Sequence, residues 1–139
     1  MVDGALSHVK VLDFTTHVAG PYCTKLLADY GADVIKVERP GIGDSARSMG
    51  PFPGDIPHSE KSGLFLHLNT NKRSITLDLK SGAGQRIALD LAMNADLIVE
   101  SFRPGTMDRL GLGLAALQAA NPGLVMTSIS NFGQSGPYR

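Results

Sequence analysis

Apolar and polar positions along the chain follow two periods. Val9 to Phe14 is a short run rich in β-forming residues, closed by a Thr/Gly/Pro break, and reads as a strand. Cys23, Leu26, Leu27 and Tyr30 then recur at i, i+3, i+4 and i+7, which predicts a helix buried along that face. Pro21 suits its first turn, where a missing N–H costs nothing, and Gly31 supplies its stop. Val34 to Val37 reads as a second strand. Strand, helix and strand within about thirty residues is the size of a βαβ unit, so the crossover should be right-handed and the strands parallel.

The pattern lapses from Pro40 to Ser62, where Gly, Pro, Ser and Asp dominate. A structureless stretch of that length in a compact domain is expected to be functional or mobile. Leu64 to Leu66 is a short apolar run of undefined type. Ser74 to Leu79 alternates and predicts a third strand. Gly82 to Asn94 predicts a helix with Ile87, Ala88, Leu91, Ala92 and Ala95 as its buried stripe. Leu97 to Val99 is a fourth strand, and Leu124 to Ser130 a fifth. Between them, Gly105 to Ala120 reads as two short helices interrupted at Gly111-Leu112-Gly113. This alternation predicts an α/β fold, a Rossmann-like and mostly parallel sheet with helices on both faces.

Length and composition narrow the function classes. The chain has 139 residues, enough for one domain, with 42% apolar and 19% charged residues, so a packed core is expected. Thirteen basic side chains balance thirteen acidic ones, which argues against a general nucleic-acid binder but leaves room for a local anion site. Cys23 is the one cysteine, so no disulfide forms within the chain; on the predicted helix face it is expected to be buried and inert. Neither a secretory leader nor a membrane-length apolar run is visible. The expectation is a soluble cytoplasmic protein with no nucleic-acid or membrane partner.

In an open parallel sheet, ligands bind beyond the carboxyl ends of the strands. The turn after the first strand, Thr15 to Gly20, holds one glycine and lacks the three-glycine dinucleotide fingerprint; no Gly-Lys-Ser/Thr occurs anywhere. Arg39 follows the second strand, where a guanidinium can hold a phosphate through its bidentate donor geometry. Lys72, Arg73, Arg103 and Arg109 also fall in or near loops, and most of these cations are expected to share one sheet edge around an anionic ligand. Phe102 can stack on a base or seal the core, and His17 sits beside the first strand end. Asp13 can serve as a cap or loop organiser. No His, Cys, Asp or Glu spacing suggests a metal, and no Ser/His/Asp arrangement is recognisable.

Nine segments, in order over nearly the whole chain, carry a resemblance. They are VLDFT at 11–15, AGPYC at 19–23, LLADYGADVIKVERP at 26–40, NKRS at 71–74, LDLK at 77–80, ADLIVE at 95–100, FRPG at 102–105, RLGLG at 109–113 and FGQSGP at 132–137. Together they resemble the N-terminal part of family III CoA-transferases, the CaiB/BaiF type. The resemblance implies a Rossmann-like domain that binds coenzyme A or an acyl-CoA, and an interlocked homodimer for the complete protein. It assigns ligand contacts to Val18, Ala19, Arg39, Leu77, Asp78, Leu79, Lys80, Ser101, Phe102, Arg103 and Arg109, with Ser101 standing where members often have Asn. The family's reaction moves CoA between an acyl-CoA and a carboxylic acid through an aspartyl-CoA intermediate. No residue here matches the nucleophilic aspartate, which the resemblance places beyond Arg139 with the glycine-rich loop and the small domain. Residues 1–139 alone are therefore expected to be inactive, with no catalytic residue of their own. The related α-methylacyl-CoA racemases share this half, and a non-catalytic chain that binds CoA or packs against a partner is the third reading.

Overall fold

The structure, a computed structural model, describes residues 4–138. Five strands form one sheet: β1 (Lys10–Phe14), β2 (Asp33–Glu38), β3 (Arg73–Thr76), β4 (Leu97–Glu100) and β5 (Val125–Ser128). All four pairings are parallel and the spatial order is β3-β2-β1-β4-β5. The order reverses between β1 and β4, so this edge of the sheet has the switch point at which ligands bind in doubly wound folds. The helices are α1 (Ala19–Asp29), α2 (Gly63–Leu68), α3 (Gly82–Ala92), α4 (Thr106–Arg109) and α5 (Leu114–Ala120).

Period-2 alternation divides the core into two layers. Leu12, Phe14, Val37 and Ile98 pack on one face with Ala88 and Ala92 of α3, Leu117 of α5, and Leu124. Val11, Val34 and Val99 pack on the other with Ala28 of α1 and Ala32. Along β1 and β2 the α1-facing layer is apolar only at the amino half, whereas β4 keeps Val99 beside Asp13. Two residues on, the same parity brings Asp13 and Lys36 opposite each other in the β1–β2 register. Both are almost fully buried.

The α1 face differs from the one its apolar spacing predicts. Gly20, Pro21, Thr24 and Ala28 are buried, whereas Leu26 and Tyr30 are exposed and Cys23 and Leu27 are half-buried. The cause is distance. A Cβ on Gly20 would stand 2.2 Å from Thr15 Cβ, so the helix lies against β1 through its small residues. Cys23 is accordingly not sealed in the core. In α3, Gly84, Ala88 and Ala92 are buried, with Ala95 just beyond, while Ile87 is exposed. β3 ends at Thr76 rather than Leu79, because Leu77 to Lys80 turns toward the Ser81 cap of α3; Ser81 Oγ accepts from Gly84 N–H and donates to Asp78 O.

The segment 40–62 is ordered by side chains. Ser45–Ser48 and Pro53–Asp55 form 3₁₀ turns. Ser62 Oγ contacts Ala46 O at 2.7 Å and Met49 O, and caps α2 by accepting from Phe65 N–H. Arg47 stacks over the Phe65 ring at 3.7 Å and forks onto Glu38, with Nε to Oε2 at 2.7 Å and Nη2 to Oε1 at 2.9 Å.

Candidate functional site

An open cleft of about 630 Å³ lies over the carboxyl ends of β1, β4 and β5, at the switch point. The start of α1 and its preceding turn, Thr16 to Gly20, form one wall. Ser101 to Pro104, after β4, form the second, and Ile129 to Gly133 with Tyr138 the third. Arg103 is the cationic side chain among these lining residues, and no carboxylate is among them. The α1 start has no side-chain cap, so its first N–H groups are left for a ligand or solvent.

The turn at the cleft floor is held from three sides. Lys36 Nζ donates to Thr15 O at 2.9 Å. Thr16 N–H donates to Ser101 Oγ at 3.0 Å, and His17 N–H to Asp44 Oδ1 at 3.0 Å. His17 itself has φ 67°, a left-handed conformation uncommon for a residue with a side chain. Glu100, buried below, accepts from Phe102 N–H through Oε2 at 2.8 Å and so orients the second wall.

Beneath the turn runs a network of buried charge. Asp13 accepts from Thr15 N–H, the Thr15 and Thr24 hydroxyls, and Lys72 Nζ at 2.9 Å. Lys36 Nζ stands 2.7 Å from Asp44 Oδ2, an ion pair rather than an aligned hydrogen bond. Burial pushes the Asp13 carboxyl up, but Lys36, Lys72 and the two hydroxyls outweigh it and hold the group below the usual carboxylate range. Burial pulls the Lys72 ammonium down, against the opposing pull of Asp13. Glu38 is also raised by burial. The Arg47 fork, Asp44 N–H and the Ser74 hydroxyl overcome that and bring it from 4.5 to about 2.

The Glu38 shift has a measurable sign. A depressed carboxyl stabilises the folded state fully above pH 4.5 and loses that contribution as pH falls toward 2. At about 1.4 kcal/mol per unit, discounted for screening at the half-open Arg47 end, the loss is roughly 2 kcal/mol. Urea titrations at pH 5.5 and 3 should show it, and Glu38→Gln should flatten the slope, with Asp13 supplying the remainder.

The sequence-assigned residues divide. Val18, Ala19, Ser101, Phe102 and Arg103 line the cleft. Arg39, after β2, and Leu77 to Lys80, after β3, lie farther along the same carboxyl edge and do not line it. Leu77 and Leu79 are partly buried against the larger core, Asp78 and Lys80 are exposed, and Asp78 Oδ1 accepts from Lys80 N–H. Arg109 is on α4, where Nη2 donates to Thr106 Oγ1 at 2.8 Å. Phe102 both lines the cleft and packs on the core.

The expected gathering of cations at one edge needs correction. Lys72 is spent internally on Asp13, Pro21 O and Asn69. Arg73 pairs with Asp33 at the amino edge, the opposite end of the sheet. Sequence reading also missed Lys36, Asp44 and Arg47. The signal was there for Lys36: a lysine inside the otherwise apolar run Val34 to Val37. Among the described residues, no three His, Cys, Asp or Glu side chains gather where they can hold a metal ion.

A parallel sheet in this order, with an open cleft at its switch point, defines a doubly wound α/β domain. Residues 6–139 match CoA-transferase family III, and the chain belongs to that family. It is 49% identical to a formyl-CoA:oxalate CoA-transferase of Bradyrhizobium sp., over 96% of this chain and 30% of that protein. It is 46% identical to a succinyl-CoA–D-citramalate CoA-transferase of Chloroflexus aurantiacus, over 96% of this chain and 32% of that protein. The crystal structure of a CaiB/BaiF family protein from Brucella suis superimposes with a TM-score of 0.88 at 37% identity, covering 98% of this chain and 36% of the other. The chain thus spans about a third of the length of these relatives.

Proposed function

We propose that these residues form the CoA-binding part of an acyl-CoA:carboxylate CoA-transferase. The cleft's chemistry carries the reading: Arg103, the uncapped α1 start and apolar walls from Val18, Phe102, Ile129 and Phe132, with no carboxylate among the lining residues. A pyrophosphate is served by a guanidinium and by oriented N–H groups, and a pantetheine arm by apolar walls. Arg39 and Leu77 to Lys80, along the same edge, and Arg109 on α4 are read as contacts to the nucleotide end. The two CoA-transferases named above act, by their names, on acyl-CoA and carboxylate pairs, which supports that substrate class here. The whole protein is read as a cytoplasmic homodimer.

In this reading an aspartate outside residues 1–139 attacks the acyl-CoA thioester carbonyl. The C–S bond breaks, the CoA thiolate leaves, and an acyl-aspartyl anhydride forms. The thiolate attacks the aspartyl carbonyl, releases the acyl group as a carboxylate, and leaves an aspartyl-CoA thioester. The acceptor carboxylate displaces the thiolate in turn, and its return regenerates the aspartate and a new acyl-CoA. The residues described here keep the CoA body fixed so that the thiol end stays in place through each exchange.

Hydroxylamine trapping tests this. The whole protein incubated with acyl-CoA should yield one aspartyl hydroxamate, outside residues 1–139. A hydroxamate on Asp13, Asp44 or any other carboxylate of these residues would overturn the assignment. So would α-proton exchange of the acyl-CoA without transfer, which would support the racemase reading.

A further inference from the structure

We infer that Asp44 is a positioning residue for the cleft: from the linker-like segment, it fixes the left-handed turn at His17 and so aims the start of α1 at the ligand. The inference rests on the CoA-binding reading of the cleft.

Asp44 is 1% exposed although its segment is rich in glycine and proline. Its Oδ1 accepts from both His17 N–H at 3.0 Å and Ala46 N–H at 2.9 Å, and Oδ2 meets Lys36 Nζ. Its own N–H donates to Glu38 Oε2 at 2.8 Å. The carboxylate is therefore held from below by β2 and spends one oxygen on the turn above. His17, exposed and at φ 67°, has no packing of its own to enforce that conformation, and a non-glycine residue there carries strain. Val18, Ala19 and Gly20 follow immediately as cleft wall and as the uncapped helix start. A relaxed His17 would swing those N–H groups away from the cleft. Asp44 does not line the cleft, so it acts through the turn.

The test is calorimetric titration of this chain with CoA, with a melting temperature for each variant. Asp44→Ala should bind about tenfold more weakly, the equivalent of the left-handed strain it no longer offsets. Adding His17→Gly should recover about threefold or more, since glycine takes a positive φ at no steric cost. The melting temperature should stay at the Asp44→Ala level, because Lys36 still lacks its Asp44 partner and keeps only Thr15 O and the more distant Asp13. Affinity that stays at the single-variant level in the double variant, or a folded Asp44→Ala with unaltered affinity, overturns the proposal. If Asp44→Ala does not fold, hydrogen exchange at His17 N–H in the unaltered chain decides: protection of about a hundredfold or more supports the contact, and free-chain exchange overturns it. No CoA binding by the unaltered chain counts against the CoA reading instead, and His17 exchange then decides the positioning on its own.

Discussion

Asp13→Ala is expected to lower the free energy of unfolding by about 3–5 kcal/mol, the cost of stranding buried charge after one partner is removed. Asp13 is 0% exposed and accepts from Thr15, Thr24 and Lys72. Its loss leaves the Lys72 ammonium, whose side chain is 1% exposed, with Pro21 O and Asn69 alone, and Lys36 with one carboxylate instead of two. A domain of this size has about 5–15 kcal/mol in total, so the variant should unfold at a much lower urea concentration with an unchanged slope. Arg73→Ala is the matched control. Its side chain is 66% exposed on Asp33, and such surface pairs are worth about 0–1 kcal/mol. Equal effects at the two sites would contradict the buried network.

Gly20→Ala is expected to destabilise by about 1–3 kcal/mol and to weaken CoA binding by about tenfold or more, although alanine is the better helix former. The sign follows from contact. The new Cβ would meet Thr15 Cβ at 2.2 Å, Cγ2 at 2.4 Å and Oγ1 at 2.6 Å. Thr15 cannot yield, since Asp13 holds its N–H and its hydroxyl and Lys36 its carbonyl. The helix must move instead, and its start is a wall of the cleft. Thermal denaturation alongside CoA titration checks both halves; a gain in stability would mean that α1 does not approach β1 this closely.

These two residues also mark how far the sequence is readable. The five strands, the α3 stripe apart from Ile87, and the break between the last two helices are all visible as periodicity. The parallel order follows from the alternation of strands and helices. The α1 face is misread because apolar spacing measures where oily residues recur, while this interface is set by how near Gly20, Thr24 and Ala28 let the helix come. The segment 40–62 has no periodicity because Ser62, Asp44 and Arg47 order it through isolated side-chain bonds, which leave no repeat. Cations are visible in a sequence, but whether each is free or paired is not. Lys72 and Arg73 are adjacent in the chain, yet one side chain reaches Asp13 and the other Asp33 at the far edge. The walls contributed by residues 16–20 and 101–104 were legible through the strand-end rule and the family resemblance. The third wall, Ile129 to Gly133, came only from β5 standing beside β4.

The proposed function requires CoA to occupy the switch-point cleft. The most direct measurement is a titration of the ¹⁵N-labelled chain with CoA, followed amide by amide. Saturable shifts are expected to concentrate in residues 16–20, 101–104 and 129–133, with Arg39 and Leu77 to Lys80 moving on the same curve. Absence of saturable shifts, or shifts gathered at the amino edge around Lys10, Asp33 and Arg73, would contradict that occupancy.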